Sequence, residues 1–325
     1  MEKKKTGGFA NWCKTYTGQK YITSALFLLI PVALLVAFTF IPAVKLIPYS
    51  FQERGQLSVG DQIKFVGFDN YKTIFTDETY LITFKNSVYY LIGSFLQQII
   101  ALLIATILCS KIKAKGLFKG VIFFPYLMNG VAVSLIFLQF FRFGESFEPQ
   151  GTFNAILGWF GVDGTNWLGD MENSMKANIC LVFVSLWRYI GFDILMYIGA
   201  INSISTDLYE AADLDGANAW KRFRYIVFPS IKPIVSLQLI LAVKGAISVF
   251  EIPYIMTGGK NGTSTFVIST IETNFTKDKV GLASAMAMVL LIIIIVVTVV
   301  QKAFFKEDDD DSRKVKKQMK KKGVA

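Results

Sequence analysis

The sequence predicts an all-α polytopic membrane protein with six transmembrane helices. Three observations carry this. Of its 325 residues 53% are apolar; the apolar residues fall in long blocks; and several windows of about 20 residues, enough to cross a bilayer as a helix, hold one charge or none. A water-soluble chain of this length would thread charges through its helices. The blocks lie at about 22–47, 86–109, 117–141, 179–201, 233–256 and 281–305. They divide the chain into an amino-terminal segment (1–21), a membrane domain (22–305) with one long loop at 205–233, and a charged tail (306–325).

The first block follows Lys3, Lys4 and Lys5 and resembles a secretory leader only superficially. Its run from Ile22 to Val44 exceeds the roughly 7–15 apolar residues of a leader core and has no small-x-small cleavage site behind it, so it reads as a retained first span. The second and third spans are joined by a tight turn carrying Lys111, Lys113, Lys115 and Lys119. The fifth is interrupted by Lys244 and Glu251, two turns apart and expected near opposite ends of the span. After the sixth, Glu307 to Asp311 reads as solvated, disordered tail. Arg313 to Lys322 adds attraction to anionic lipid of about 1 kcal/mol per residue.

Orientation follows from Lys and Arg, which cytoplasmic loops retain. With six spans, Lys3, Lys4, Lys5, Lys14 and Lys20, the Lys111–Lys119 turn, the loop bearing Lys221, Arg222, Arg224 and Lys232, and the lysine-rich tail all fall on one side. The opposite loops, 48–85, 142–178 and 257–280, carry Glu53, Asp61, Asp69, Asp77, Glu78, Glu145, Glu148, Asp163, Asp170 and Glu172. Both termini are therefore expected in the cytoplasm, and a basic face beside membrane lipid accounts for the net charge of +10 without a nucleic-acid partner.

Composition also narrows the chemistry. The chain has no histidine, and Cys13, Cys109 and Cys180 are too scattered to form a metal or redox site. They read as small packing residues. No HExxH and no serine–lysine pair on facing spans supports an intramembrane enzyme, and no catalytic residue is assigned. A passive channel is the other rival reading.

The loop from Ser205 to Pro233 spells out structure of its own. Asp207 with Glu210 three residues later has the form of a capping box, which predicts a helix start. Leu208, Ala211 and Ala212 share one face of that helix, and Gly216 supplies a stop or bend. Trp220 to Phe228 mixes aromatic and basic residues as an interfacial helix does, and Pro229 and Pro233 bracket the return to the membrane. The result is a surface helix–turn–helix. Its alanines would let another protein approach closely, with Glu210, Asp213 and Asp215 as anchors for that partner's Arg or Lys; an amphipathic helix resting on lipid would show the same residues.

The stretch EAADLDGANAWKRFRYIVFPSIKP, 210–233, resembles the EAA motif of permease subunits in binding-protein-dependent ABC importers. It has the Glu-Ala-Ala, a glycine six residues after the Glu, and an Ile-x-x-Pro. FVGFDNYKTIF at 65–75, FFPYLMNGV at 123–131, NWLGD at 166–170 and VFEIPYIMTGGKNGTSTFVISTI at 249–271 are similar to the same family, nearest the maltose and glycerol phosphate permeases. Lys260 and Asn261 stand where a glycine–proline usually follows the Thr-Gly-Gly. The resemblance implies the type I importer fold in a bacterial cytoplasmic (inner) membrane. It also implies that the loop docks in a cleft of an ATPase, with Glu210 anchoring, Ala211 and Ala212 allowing close packing and Gly216 allowing the turn. The implied partners are a second homologous permease subunit, a cytoplasmic ATPase dimer that binds ATP and Mg, an extracytoplasmic solute-binding protein, and lipid. The chain itself has no GxxxxGK[ST] phosphate loop and is expected to bind no cofactor. The cargo it implies is an oligosaccharide or other sugar, with glycerol phosphate or another polyol derivative as the alternative.

Polar groups at membrane depth are costly and mark functional candidates. Arg188, Asp193, Lys244 and Glu251 are the ionisable ones; Gln97, Gln98, Asn129 and Gln139 are neutral. Ser185, Arg188, Tyr189 and Phe192 share one face of span four, as do Leu241, Gly245 and Ser248 on span five. With Tyr126 and Gly130 of span three, these positions are similar to those lining the sugar site of maltose-type permeases. Aromatic faces and hydroxyls suit a sugar. The same pattern also serves helix packing, with Gly245 permitting close approach. Arg188, if it faces the translocation cavity, would contact sugar hydroxyls or an anionic group, and it is equally suited to pair with Asp193 or with another subunit.

Overall fold

The computed structural model describes residues 15–110, 114–144, 150–169 and 174–321, with side chains through Ala303 apart from that of Asp61. Lys3, Lys4, Lys5, Cys13, Lys14, Lys111, Lys113, Glu145, Glu148, Asp170 and Glu172 lie outside the described residues. Among the described residues five helices are long and apolar enough to cross a membrane, and two shorter helices, bent by 95° at a short break, make a sixth candidate if they count as one span.

The first, α1 (Tyr16–Ser50), is longer than the predicted span at both ends and carries a wide turn at Val36–Phe40. Leu26, Phe27 and Phe38 on it are exposed. A two-residue hairpin, β1 (Gln52–Glu53) with β2 (Lys64–Phe65), pairs Gln52 with Phe65. Helix α2 (Asp69–Thr76) is tied to it by Asn70, whose Nδ2 donates to the carbonyls of Ser50 at 2.9 Å and Gln52 at 3.0 Å. The second span, α3 (Glu78–Cys109), starts earlier than predicted because the Asp77 carboxylate accepts the Thr79 N–H at 2.8 Å and caps it.

The predicted third span, 117–141, is not one helix. It is α4 (Lys115–Leu127) and α5 (Gly130–Phe140). Met128 is extended, and the Asn129 side chain accepts the Val131 N–H at 2.8 Å, starting a new helix in a new direction. Pro125, one turn upstream, already lacks a backbone donor. Helix α6 (Thr152–Trp159) follows on the loop, and α7 (Ser174–Asn202) is the fourth span.

The loop is α8 (Thr206–Leu214), and the predicted separate interfacial helix at 220–228 does not exist. A single rod, α9, runs over 219–247; its wide turn at Phe223–Val227 falls just ahead of Pro229. Pro233 lies inside this rod. A kink at 248–250 leads to α10 (Glu251–Thr257), then α11 (Phe266–Phe275) and α12 (Val280–Lys321). The backbone through Glu307 to Asp311, expected to be disordered, continues as helix.

The core is the crossing of α3, α7 and α9. Ala101 and Ala105 of α3 pack with Ile194, Tyr197 and Ile198 of α7 and with Val227 and Ile231 of α9. Small residues permit such approach where lipid supplies no hydrophobic driving force between helices. At Gly191 a side chain would strike the Ile122 carbonyl, so α7 and α4 cross there backbone to backbone.

Candidate functional site

Between α3, α7, α9 and α10 lies a cavity of about 500 Å³. Six of the nine positions likened to the sugar site of maltose-type permeases line it: Ser185, Tyr189 and Phe192 on α7, and Leu241, Gly245 and Ser248 on α9 and at its kink. The three others lie behind the wall. The Tyr126 ring stacks on Phe192 with centroids 5.1 Å apart and meets Tyr189 edge-on at 6.4 Å. Arg188 does not pair with Asp193. Its Nη1 lies 2.5 Å from Glu251 Oε2 and donates to the Tyr189 hydroxyl at 3.0 Å. A side chain at Gly130 would collide with that Glu251 carboxylate and that guanidinium, so this glycine leaves room for the ion pair. Gly245 does not serve helix packing within this chain, because no heavy atom lies within 4 Å of where its side chain would be.

Asp193 is instead held by neutral donors from two other spans. Gln97 (2.5 Å) and Gln98 (2.9 Å) of α3 donate to one carboxylate oxygen, and Gln238 of α9 donates to the other at 2.8 Å. Tyr197 completes the group by donating to Gln98 Oε1 at 2.7 Å. All four partners are buried or nearly so, as a carboxylate in a low-dielectric interior requires. Gln238 and Tyr197 were missed from sequence; the usable signal for Gln238 was an amide at membrane depth. Lys244 and Glu251, expected near opposite ends of their span, line the same cavity, one on α9 and the other at the start of α10.

The second candidate site is the turn between α8 and α9. The helix starts two residues before the expected cap: Ser205 Oγ accepts the Asp207 N–H at 3.3 Å, so Asp207 lies in the first turn and forms no capping box with Glu210. Its end is closed by two bonds, Ala217 N–H to Ala212 O at 2.9 Å and Gly216 N–H to Asp213 O at 3.1 Å, with Gly216 at φ +66°. That left-handed backbone, rather than any steric crowding, is what calls for glycine, since no atom lies within 4 Å of its missing side chain. Asn218 caps α9 by accepting the Lys221 N–H at 2.9 Å.

The roles expected within this turn divide. Glu210, Ala211 and Asp215 are exposed, but Ala212 is only 7% exposed and faces this chain, so it offers no surface to a partner. Asp213 is not a free anchor: its carboxylate pairs with Arg222 of α9 at 2.8 Å. Leu208, expected on the apolar face, is exposed, and Leu214, 90% exposed, adds to the apolar surface of this helix a residue that sequence reasoning overlooked.

Comparison with known proteins bears on the family and the fold. The family model described as "Binding-protein-dependent transport system inner membrane component" matches residues 97–307. The chain is 33% identical to the probable ABC transporter permease protein YurN of Bacillus subtilis, over 81% of this chain and 89% of that protein. It is 31% identical to the multiple sugar-binding transport system permease protein MsmF of Streptococcus mutans, over 81% of this chain and 88% of that protein. Among solved structures, a chain of a bacterial alginate ABC transporter, crystallised with an alginate pentasaccharide-bound periplasmic protein, superposes with a TM-score of 0.76 at 20% identity, covering 91% of this chain and 97% of that one. At that identity the likeness bears on the fold.

Proposed function

Since the chain belongs to the family of binding-protein-dependent transport system inner membrane components, we propose that it forms half of the translocation pathway of an ATP-driven oligosaccharide importer. The observation that carries this is the cavity walled by Tyr189, Phe192, Ser185 and Gln97 at the meeting of the spans, where rings can cover the C–H faces of a sugar and amides and hydroxyls its edges. The saccharide names of relatives such as MsmF favour the same cargo. The chain is a transporter subunit rather than an enzyme.

In this reading the membrane is the bacterial cytoplasmic membrane, with both termini and the α8–α9 turn in the cytoplasm. A second homologous permease subunit completes the pathway, and an extracytoplasmic binding protein delivers the solute. An ATPase dimer holding ATP and Mg docks on Glu210, Ala211, Asp215 and Gly216. A ligand shifts a two-state equilibrium only by binding the two states differently. ATP bound to a partner therefore acts on the cavity only through mechanical contact. The rod α9 offers the path: it starts at the turn and, at about 1.5 Å per residue, runs roughly 33–39 Å to the wall bearing Leu241 and Gly245. Displacing the turn displaces that wall.

The test is ATP-dependent uptake of labelled oligosaccharide by proteoliposomes holding the complete importer. Uptake that requires both the ATPase and the binding protein is expected; uptake that proceeds without ATP would indicate a channel.

A further inference from the structure

The charges around the cavity balance in number, Arg188 and Lys244 against Asp193 and Glu251, but not in contact. Three of its walls carry titratable groups other than tyrosine: Asp193 on α7, Lys244 on α9 and Glu251 on α10. The fourth, α3, contributes Tyr90, Gln97 and Gln98. Glu251 is taken by Arg188, and Asp193 by three carboxamides. Lys244 is exposed toward the cavity, and its ammonium has neither an ion pair nor a hydrogen bond among the described residues. The α3 wall holds a second unsatisfied donor, the Tyr90 hydroxyl, which is buried and without a hydrogen-bond partner among the described residues. A lysine at membrane depth is costly, and a neutral residue would line the cavity more cheaply. An ammonium is a compact cation with three donors, suited to an anion.

Resting on the reading as a saccharide importer, we infer that the solute carries an anionic group, a carboxylate, sulfonate or phosphate on a sugar, and that Lys244 receives it. The Arg188–Glu251 pair then positions Tyr189 rather than binding charge. Charge-assisted contacts discriminate strongly, because a neutral analogue leaves the ammonium unmatched.

The experiment uses the complete importer in proteoliposomes with trigalacturonate, its fully methyl-esterified neutral counterpart, a sulfonated glycoside, a phosphorylated disaccharide and maltotriose. At least one anionic saccharide is expected to drive uptake. Lys244→Gln should raise its half-saturating concentration at least about tenfold, the equivalent of one charge-assisted hydrogen bond, and Lys244→Arg should stay within about threefold of the parent protein. Transport of neutral saccharides alone, with Lys244→Gln indifferent, would overturn the inference while leaving the importer reading intact. Transport of no saccharide would overturn both. If Lys244→Gln abolishes association with the second permease subunit, the lysine pairs across that interface, which also overturns the inference.

Discussion

Arg222 Nη1 lies 2.8 Å from Asp213 Oδ1, and Arg222 Nε donates to the Ala217 carbonyl at 3.2 Å, so one side chain of α9 grips both the last turn of α8 and the turn that follows it. Both partners are partly exposed, and the pair contributes at most about 1 kcal/mol to stability. Its effect should instead appear in coupling. Arg222→Ala is expected to leave the melting temperature within a few degrees of the parent and to raise the ATP hydrolysed per solute imported several-fold. An unchanged ratio in matched uptake and hydrolysis assays would remove the grip from the account.

Gly130 makes room for the Arg188–Glu251 pair, and Gly130→Ala should push it apart. Overpacking of this kind costs roughly 1–3 kcal/mol. Since the pair holds Tyr189 at the cavity wall, the expected outcome is a several-fold rise in the half-saturating solute concentration with the subunit complex still assembled. Arg188→Gln should shift the same parameter in the same direction. Uptake kinetics at varied solute concentration check both.

The carboxamide group around Asp193 ties three spans together. Asp193→Leu would leave the Gln97, Gln98 and Gln238 amides without their shared acceptor, and each unsatisfied buried donor costs about 1–3 kcal/mol. A large drop in thermal stability of the purified complex is expected, and a smaller one for Asp193→Asn, which keeps one acceptor oxygen. Equal melting temperatures for all three proteins would show that the group carries no structural load.

The apolar blocks and the basic loops made the spans and the α8 turn legible in the sequence, because lipid enforces length and charge rules that are local. What sequence did not reveal depended on geometry at a distance. The break at Met128–Asn129 comes from a side-chain cap inside an apolar run, which hydropathy does not register. The rod α9 runs on through Pro229 and Pro233, with a widened turn just ahead of the first, where the two prolines suggest a break. At the cavity, face periodicity found Ser185, Tyr189, Phe192, Leu241, Gly245 and Ser248, whereas the partners of Arg188 and Asp193 come from helices far away in the chain. Ala212 was read as partner-facing because small residues suit any close contact; its burial shows that the contact is internal.

The central claim is that the turn at Glu210–Gly216 transmits work between the ATPase and the cavity, and paired uptake and ATPase assays on the reconstituted importer test it most directly. Gly216→Pro would force φ to about −65° where the turn has +66°, and would delete the N–H bonded to Asp213. Glu210→Lys would reverse an exposed charge on the docking face. The account predicts that both variants insert, assemble with the second permease subunit and accept the loaded binding protein, yet lose uptake and solute-stimulated hydrolysis together. Both activities retained in both variants would contradict it.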